Sequence, residues 1–397
     1  MPRILRIINR LNLGGPTHNV AYLTKYLPKE YETLLLSGQI DSTEASSEFL
    51  VKELDLTPQY IDNMQRELNP LKDRHAYYQI KKIIKEFKPD IVHTHAAKAG
   101  AVGRLAAAHC NVPIIIHTFH GHVFHSYFSP LKTRIFIEIE RYLAKKSTAI
   151  VAISDIQKKE LSETFKIAPA SKFHVVNLGF DLEKFHTDSG AKRKQFRTKW
   201  MIQDDEIAIG IVGRLVPIKN HSLFLDAMKW VLDHTTKKVK ILLIGDGESR
   251  QTIEEKIKTL GIPYCSEQDL NTSAKIVFCS WIKDVDVAYA GIDIVALSSL
   301  NEGTPVSLIE AQAAGKPIIT TNVGGIKDVV LENETAFVVP SNEVNAFAEK
   351  TLELVENDTL RQNFSTKGYE HVIKTFSYQT LCSNMDKLYK SLLQKSK

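Results

Sequence analysis

Glu302 and Glu310 stand eight positions apart in a run that reads Asn301-Glu302-Gly303-Thr304-Pro305-Val306-Ser307-Leu308 before the second carboxylate. The residues between them signal a helix start. Gly303 lets backbone approach a ligand closely, Thr304 can cap, and Pro305 suits the first helical position. Upstream, residues 292–297 read as a buried strand, so Glu302 falls in the loop at its carboxyl end and Glu310 about one turn into the helix. Open α/β sheets bind ligands in that crevice. The helix N-terminus, with free N–H groups and a partial positive charge, suits a phosphate, and a carboxylate on each side suits sugar or ribose hydroxyls. The segment reads as a holder for a sugar attached to phosphate.

A second constellation, Gly213-Arg214-Leu215-Val216-Pro217-Ile218-Lys219-Asn220, follows a strand expected at 207–212. Arg214 offers a planar fork for phosphate oxygens and Lys219 a compact point charge. Two cations on a loop at a strand end match a diphosphate. A salt-bridged surface loop is the bland reading, and the Glu302–Glu310 segment in the same half of the chain favours the functional one.

These residues need a sheet to hold them. The first half alternates short apolar runs, at 4–9, 33–36, 91–95, 113–119, 149–153 and 174–178, with helical patterns at 77–87, 97–108 and 131–145. The second half repeats the plan, with strands at 207–212, 240–244, 276–279, 292–297, 318–321 and 336–339 and helices at 221–233, 251–259, 306–313 and 345–356. Strands interleaved with helices of this length imply βαβ units and parallel sheets. The polar stretch 186–204, with a basic cluster from Lys192 to Lys199, reads as a linker between domains 1–185 and 205–376. A last helical pattern covers 378–393. A hinge is expected around 179–185 and at the end of the last helix, with closure of the cleft between the domains.

At 397 residues the chain exceeds one core, and 43% hydrophobic with 24% charged residues is ordinary for a globular protein. No apolar run approaches the ~18 residues of a membrane span, and Met1–Leu13 reads as a first strand, not a signal peptide. Cys110, Cys265, Cys279 and Cys382 lie far apart, which argues for a reducing cytoplasm and against structural zinc. Residues 1–190 hold 25 Lys and Arg against 20 Asp and Glu, and the remainder balances at 26 each. The excess of positive charge could attract an anionic acceptor or membrane face, though on charge alone a normally solvated surface is the favoured reading. Nucleic-acid binding is not expected, since no dense basic stripe accompanies the charge.

Several tempting motifs lead elsewhere. His117, His120, His122 and His125 lack the nearby thiols or carboxylates of a zinc site. His93 and His95 are expected to point to opposite sides of one strand, as core or surface histidines. Asp284-Val285-Asp286 could hold a divalent metal, but it opens a helical pattern, so Asp284 reads as an N-cap and Asp286 as a first-turn acid. Gly245-Asp246-Gly247-Glu248 lacks the Lys-Ser/Thr of a P-loop, and Gly14-Gly15 lacks the third glycine of a dinucleotide fingerprint. No metal and no cofactor is expected. Phe124-His125-Ser126-Tyr127-Phe128, followed by Lys132, Arg134, Arg141, Lys145 and Lys146, suits either an anionic bilayer surface or a packed loop before a solvated helix.

Taken together, these motifs resemble the retaining glycosyltransferases of family 4 (glycosyl transferases group 1), which have the GT-B fold. Glu302-Gly-Thr-Pro-Val-Ser-Leu-Ile-Glu310, Gly213-Arg214 and Lys219 carry the resemblance, with Gly14-Gly15, His117-Thr-Phe-His120-Gly121, Ala152-Ile-Ser154, Asn177-Leu-Gly-Phe-Asp181, Gly245-Asp-Gly247, Gly315-Lys-Pro317 and Asn322-Val-Gly-Gly325 in order along nearly the whole chain. The resemblance implies two Rossmann-like, doubly wound α/β domains facing a cleft, the first for an acceptor and the second for a nucleotide-sugar, with residues 377–397 packing back on the first. It implies that Arg214 and Lys219 bind the diphosphate, Glu310 the ribose and Glu302 the donor sugar. His120 would touch that sugar, Gly15 would approach the phosphate, and Ile282 would line the base. Gly303, Thr304, Val306 and Ser307 would complete the donor pocket, with His122 and Tyr127 near the acceptor. Catalysis would rest on Glu302, His120, Arg214 and Lys219. The activity implied is transfer of a sugar from a nucleotide diphosphate, UDP preferred and GDP second, to a glycan or lipid-linked acceptor of cell-surface polysaccharide synthesis at the cytoplasmic membrane face. Retention is usually described there as front-face attack. A nucleotide-sugar 2-epimerase or phosphorylase on the same fold, or a binding protein without turnover, are the alternatives.

Overall fold

A computed structural model of the chain describes residues 1–12, 15–39, 46–65, 69–121 and 129–396. The chain forms two compact units, Met1–Phe180 with Phe376–Lys397, and Asp181–Thr375. Each is built on a seven-stranded, wholly parallel sheet.

The first sheet contains β1 (Arg3–Ile8), β2 (Glu32–Gly38), β3 (Gln59–Ile61), β4 (Ile91–His95), β5 (Ile114–Phe119), β6 (Ala149–Ala152) and β7 (Phe173–Val175), in the order β3-β2-β1-β4-β5-β6-β7. Its central strands β4 and β5 are buried at every position because both faces are covered. Ile4, Ile91, Ile114 and Ile116 join one core with Leu381, Met385 and Leu392 of the last helix, Tyr378–Lys395. Their neighbours Leu5, Val92 and Ile115 join the other, with Ile80 and Ile84 of the helix Pro70–Phe87. The strand order reverses between β1 and β4, so their carboxyl ends form the switch point of this sheet.

The last helix is tied to the first unit by a buried polar chain as well as by apolar contact. Arg6 donates to the Tyr389 hydroxyl at 3.1 Å and to His93 Nδ1 at 3.3 Å, and Tyr389 meets His93 Nδ1 at 2.6 Å. Arginine can only donate, so His93 Nδ1 accepts and His93 Nε2–H donates to Thr118 Oγ1, 2.7 Å away. Burial, and next the Arg6 charge, hold His93 well below its ordinary pKa, consistent with this neutral tautomer. Tyr389→Phe should therefore cost about 1–2 kcal/mol in urea unfolding. A midpoint unchanged from wild type would mean the network contributes nothing to docking that helix.

The second sheet contains β8 (Glu206–Val212), β9 (Lys238–Ile244), β10 (Tyr264–Ser266), β11 (Ile276–Ser280), β12 (Ile294–Leu297), β13 (Ile318–Thr321) and β14 (Ala336–Val339), in the order β10-β11-β9-β8-β12-β13-β14. Here the switch point lies between β8 and β12.

The stretch 186–204 is not a linker. Ser189–Lys199 is a helix of the second unit, followed by the fully buried Trp200. Phe196 packs so closely on Gly291 that a Cβ there would lie 2.1 Å from its ring. Arg197, almost wholly buried, donates to the Gly291 carbonyl at 3.3 Å, to Asp293 at 3.1 Å and to the Glu206 carbonyl at 2.6 Å. The helix buries only Phe196 and Arg197, one apolar and one charged, so its sequence lacks the apolar period that marks a helix.

Candidate active site

In the second unit the loops after β8 and β12 meet at the switch point. Pro217–Lys219 forms one tight turn, which Asn220 ends in the left-handed region at φ 48°. The turn is stitched to the other loop by Ser298 Oγ, which donates to the Lys219 carbonyl at 2.9 Å, and by Leu300 N–H, which donates to the Ile218 carbonyl at 2.8 Å. That scaffold brings Lys219 Nζ to 2.5 Å from Glu302 Oε1. The Ser299 hydroxyl donates to the same oxygen at 2.6 Å. Ser299 is held in turn by Thr321 Oγ1, which donates to its carbonyl at 2.6 Å.

The Asn322-Val-Gly-Gly325 motif supports the loop from below. Gly325 N–H donates to the Glu302 carbonyl at 3.1 Å. Gly324 has φ +48°, and a Cβ on it would lie 1.8 Å from that carbonyl oxygen. Only glycine fits there. An added Cβ on Gly303, by contrast, would meet nothing within 4 Å, and one on Gly15 would meet only Leu178 at 3.7 Å. Local packing requires glycine at neither, which leaves both backbones open to something outside the protein.

The helix downstream runs Val306–Ala313. Pro305, not Thr304, stands at its N-cap, and no side chain caps it. The first N–H groups are therefore available to an anion. Val306 and Ser307 are half-buried, and the Ser307 carbonyl accepts from Tyr289 at 2.9 Å. Glu310 lies deeper in the same helix. Burial pushes its carboxyl up to about 7, against the pull of the Lys184 charge and the Tyr289 hydroxyl. Arg214 is exposed on the loop after β8 and is not drawn into the Lys219–Glu302 cluster. Ile282 is half-buried beside the exposed Trp281.

Three further residues went unread in the sequence: Ser298, Ser299 and His221. A Ser-Ser pair directly after a buried strand was the signal available for the first two. His221 opens the helix His221–His234 beside Lys219, and burial with the Lys219 charge pushes it down to about 4, so it is neutral.

In the first unit the histidines gather at that sheet's own switch point. His93 and His95 do not face opposite ways. Residues two apart on a strand share a face, and their rings lie 4.2 Å apart. His95 Nδ1 meets His120 Nε2 at 2.9 Å, and the outer nitrogens, His95 Nε2 and His120 Nδ1, are buried without partners. Burial pushes His120 down to about 3. Two neutral imidazoles sharing one hydrogen bond leave one free N–H and one free lone pair, whichever tautomer each adopts. His117 is a core residue, with Nδ1 2.9 Å from Thr94 Oγ1 and its ring against Gly100. His122 and Tyr127, expected near an acceptor, lie outside the described residues.

Asp284 stands at the N-cap of the helix Val285–Gly291, though its side chain makes no capping bond. Asp286 in the first turn pairs with Lys192 at 2.9 Å. Among the described residues no three His, Cys, Asp or Glu side chains are grouped to hold a metal ion.

The site joins a cationic turn, a carboxylate and an uncapped helix start at the switch point of a Rossmann-like sheet. Residues 13–184 match Glycosyltransferase Family 4, and residues 192–371 match Glycosyl transferases group 1. The chain belongs to family 4 of the GT-B glycosyltransferases. Among similar proteins, the Escherichia coli UDP-Gal:alpha-D-GlcNAc-diphosphoundecaprenol alpha-1,3-galactosyltransferase is 26% identical over 303 residues, covering 76% of this chain and 75% of that protein. The Staphylococcus aureus capsular polysaccharide biosynthesis glycosyltransferase CapM is 27% identical over 350 residues, 87% of this chain and 88% of its own. In fold, the chain matches Anabaena HepE, solved with UDP, at a TM-score of 0.80 and 17% identity, over 98% of this chain and all of that one. This glycosyltransferase has, among its described residues, no helix long and apolar enough to cross a membrane.

Proposed function

We propose that this glycosyltransferase moves a sugar from a UDP-sugar, with a GDP-sugar second, to a glycan or lipid-linked acceptor in cell-surface polysaccharide synthesis. Transfer retains the anomeric configuration and needs no metal ion. The carrying observation is the Lys219–Glu302–Ser299 cluster beside the uncapped helix start of Val306–Ala313. Breaking a glycosyl phosphate builds negative charge on the diphosphate and positive charge on the sugar ring. Lys219, Arg214 and the helix N-terminus meet the first by preorganised electrostatics, as a divalent cation does in other enzymes. Asp286, the one acid of Asp284-Val-Asp286 with a cationic partner, is engaged by Lys192.

The Glu302 carboxylate positions the sugar. In front-face transfer the departing phosphate takes the acceptor's proton, so no carboxylate need act as nucleophile. Glu310 accepts from the ribose hydroxyls, and Ile282 lines the base. Gly15 and Gly303 give a phosphate and a sugar room at the backbone, which fits their lack of any local packing requirement. His120 contacts the donor sugar with the free nitrogen left by its bond to His95. The first unit receives the acceptor and the second the donor. UDP is preferred because one similar protein is named for UDP-Gal and a protein of the same fold was solved with UDP. Work on a lipid-linked acceptor places the protein on the cytoplasmic face of a membrane.

Calorimetric titration with UDP, GDP and ADP in excess chelator tests the reading. UDP should bind without metal and more tightly than the other two. Binding that appears only when a divalent ion is restored would end the metal-free proposal, and binding of none of the three would end the donor-site assignment.

A further inference from the structure

The helix Pro130–Lys146 is apolar on two faces, and only one of them is covered. Phe136, Ile137 and Ala144 turn inward to the core beneath β5 and β6. Glu140 is buried on that side too, held by Arg104 at 2.7 Å. Leu131, Ile135, Ile139 and Tyr142 turn outward, exposed by 71, 52, 42 and 51%. Their spacing of four, four and three residues aligns them in one stripe about 80° wide at 100° per residue. A helix face that merely met water would carry polar residues there.

Cations flank the stripe. Lys132 borders one side, Arg134 and Lys145 the other, and Lys146 Nζ lies 5.6 Å from the Tyr142 ring centre. Among the described residues none of these four has a carboxylate partner, and the one acid of the outward face, Glu138, is held by Arg141 at 2.6 Å. Past Lys145 the surface dips into a groove of about 490 Å³ whose walls include Lys166 and Lys172. An apolar stripe edged by unpaired cations matches the boundary between lipid chains and anionic headgroups. A second copy of the chain matches poorly. A two-fold contact through the stripe would set these cations against their own equivalents, with only Glu138 to offset them.

We propose that this outward face of Pro130–Lys146 is the surface by which the glycosyltransferase lies on an anionic bilayer, with Leu131, Ile135, Ile139 and Tyr142 entering the lipid boundary and the flanking cations meeting headgroup phosphates. The proposal rests on the membrane location argued above and assigns it to one helix face.

Co-sedimentation of the full chain at low salt tests it. The vesicles are phosphatidylcholine alone, or phosphatidylcholine mixed with phosphatidylglycerol. Wild type should pellet with the anionic vesicles only. Ile135→Glu with Ile139→Glu, and separately Lys132→Gln with Arg134→Gln and Lys145→Gln, should each lower partitioning by about tenfold or more. All five positions are on the surface, so thermal unfolding and UDP binding should stay as in wild type. If wild type binds and both variants bind equally well, the helix face is wrong while the membrane location stands. If wild type binds neither vesicle, both fall. If the Ile135→Glu, Ile139→Glu variant instead dissolves a dimer seen by sedimentation velocity, the face joins two copies of the chain and the bilayer proposal is overturned.

Discussion

Lys219→Ala should lower turnover by about 10²–10³-fold, the loss seen when one preorganised charge-stabilising donor is removed. Lys219 is placed for that role by backbone, not by its own flexible stem. The turn Pro217–Lys219 is bonded to the loop after β12 through Ser298 and Leu300. The Lys219 side chain is 19% exposed and that of Glu302 12%, so the pair sits where charge is screened less than at a free surface. Removal acts twice. The diphosphate loses a cation, and Glu302 keeps its charge with only the Ser299 hydroxyl upon it, facing an anionic substrate. Glu302→Gln should therefore recover donor affinity in the Lys219→Ala background although it damages turnover alone. The two substitutions should couple by about 1 kcal/mol or more in a double-mutant cycle. Lys219→Arg should rescue poorly, since a planar fork does not fit a point-charge position. Steady-state kinetics with a UDP-sugar decide it: turnover of Lys219→Ala within a few-fold of wild type would remove Lys219 from the diphosphate site.

Much of this scaffold was legible because parallel strands covered on both faces start from dense apolar runs, even where β4 and β13 end in buried His and Thr. Residues 318–321 and 336–339 were read as strands with the bounds the structure gives them, and 91–95 likewise. What escaped was what such a rule cannot see. The edge strands Gln59–Ile61 and Tyr264–Ser266 are three residues long, and each buries a single residue. The helix Ser189–Lys199 buries so little of itself that it passed for a linker, and its place is fixed by long-range partners such as Gly291 and Asp293.

The site was legible in its charges and not in what holds them. Glu302 and Lys219 stood out by type and position, and the structure pairs them although 83 residues separate them. The bonds that aim them, from Ser298 to a carbonyl in another loop and from Thr321 to Ser299, join segments with no common motif. Gly324 stood in a recognised motif, but its reason, the closeness of the Glu302 carbonyl, is visible only in three dimensions. The pairing of His95 with His120 was hidden by misassigned strand alternation, since period two puts His93 and His95 on one face.

Nucleotide affinity should rise with pH up to about 7 and then level off, through Glu310. Burial lifts this carboxyl from its ordinary 4.5 to about 7; the Lys184 charge and the Tyr289 hydroxyl pull it down, and Asp286 raises it further. Ribose hydroxyls donate hydrogen bonds, and a carboxylate accepts them better than a carboxylic acid. At pH 6 the site is largely protonated, so nucleotide binding must expel a proton, at a cost of about 1.4 kcal/mol for each pH unit below the pKa. Calorimetry at pH 6 in buffers of different ionisation enthalpy should record release of nearly one proton, falling toward zero at pH 8.5. Glu310→Ala should weaken UDP binding by about 1–3 kcal/mol at pH 8, and by less at pH 6. Glu310→Gln should bind with no pH dependence from this position. The folded-state value exceeds the unfolded one, so the neutral form contributes stability that is fully present below about 4.5 and is lost as pH rises through about 7. That contribution is at most on the order of 3 kcal/mol, and Glu310→Gln, which has no proton to lose, should be more stable than wild type at pH 8. Undiminished UDP affinity in Glu310→Ala at pH 8 would take the ribose away from this residue. A flat pH profile with the alanine effect intact would leave the ribose in place and show that the buried carboxylate is already ionised.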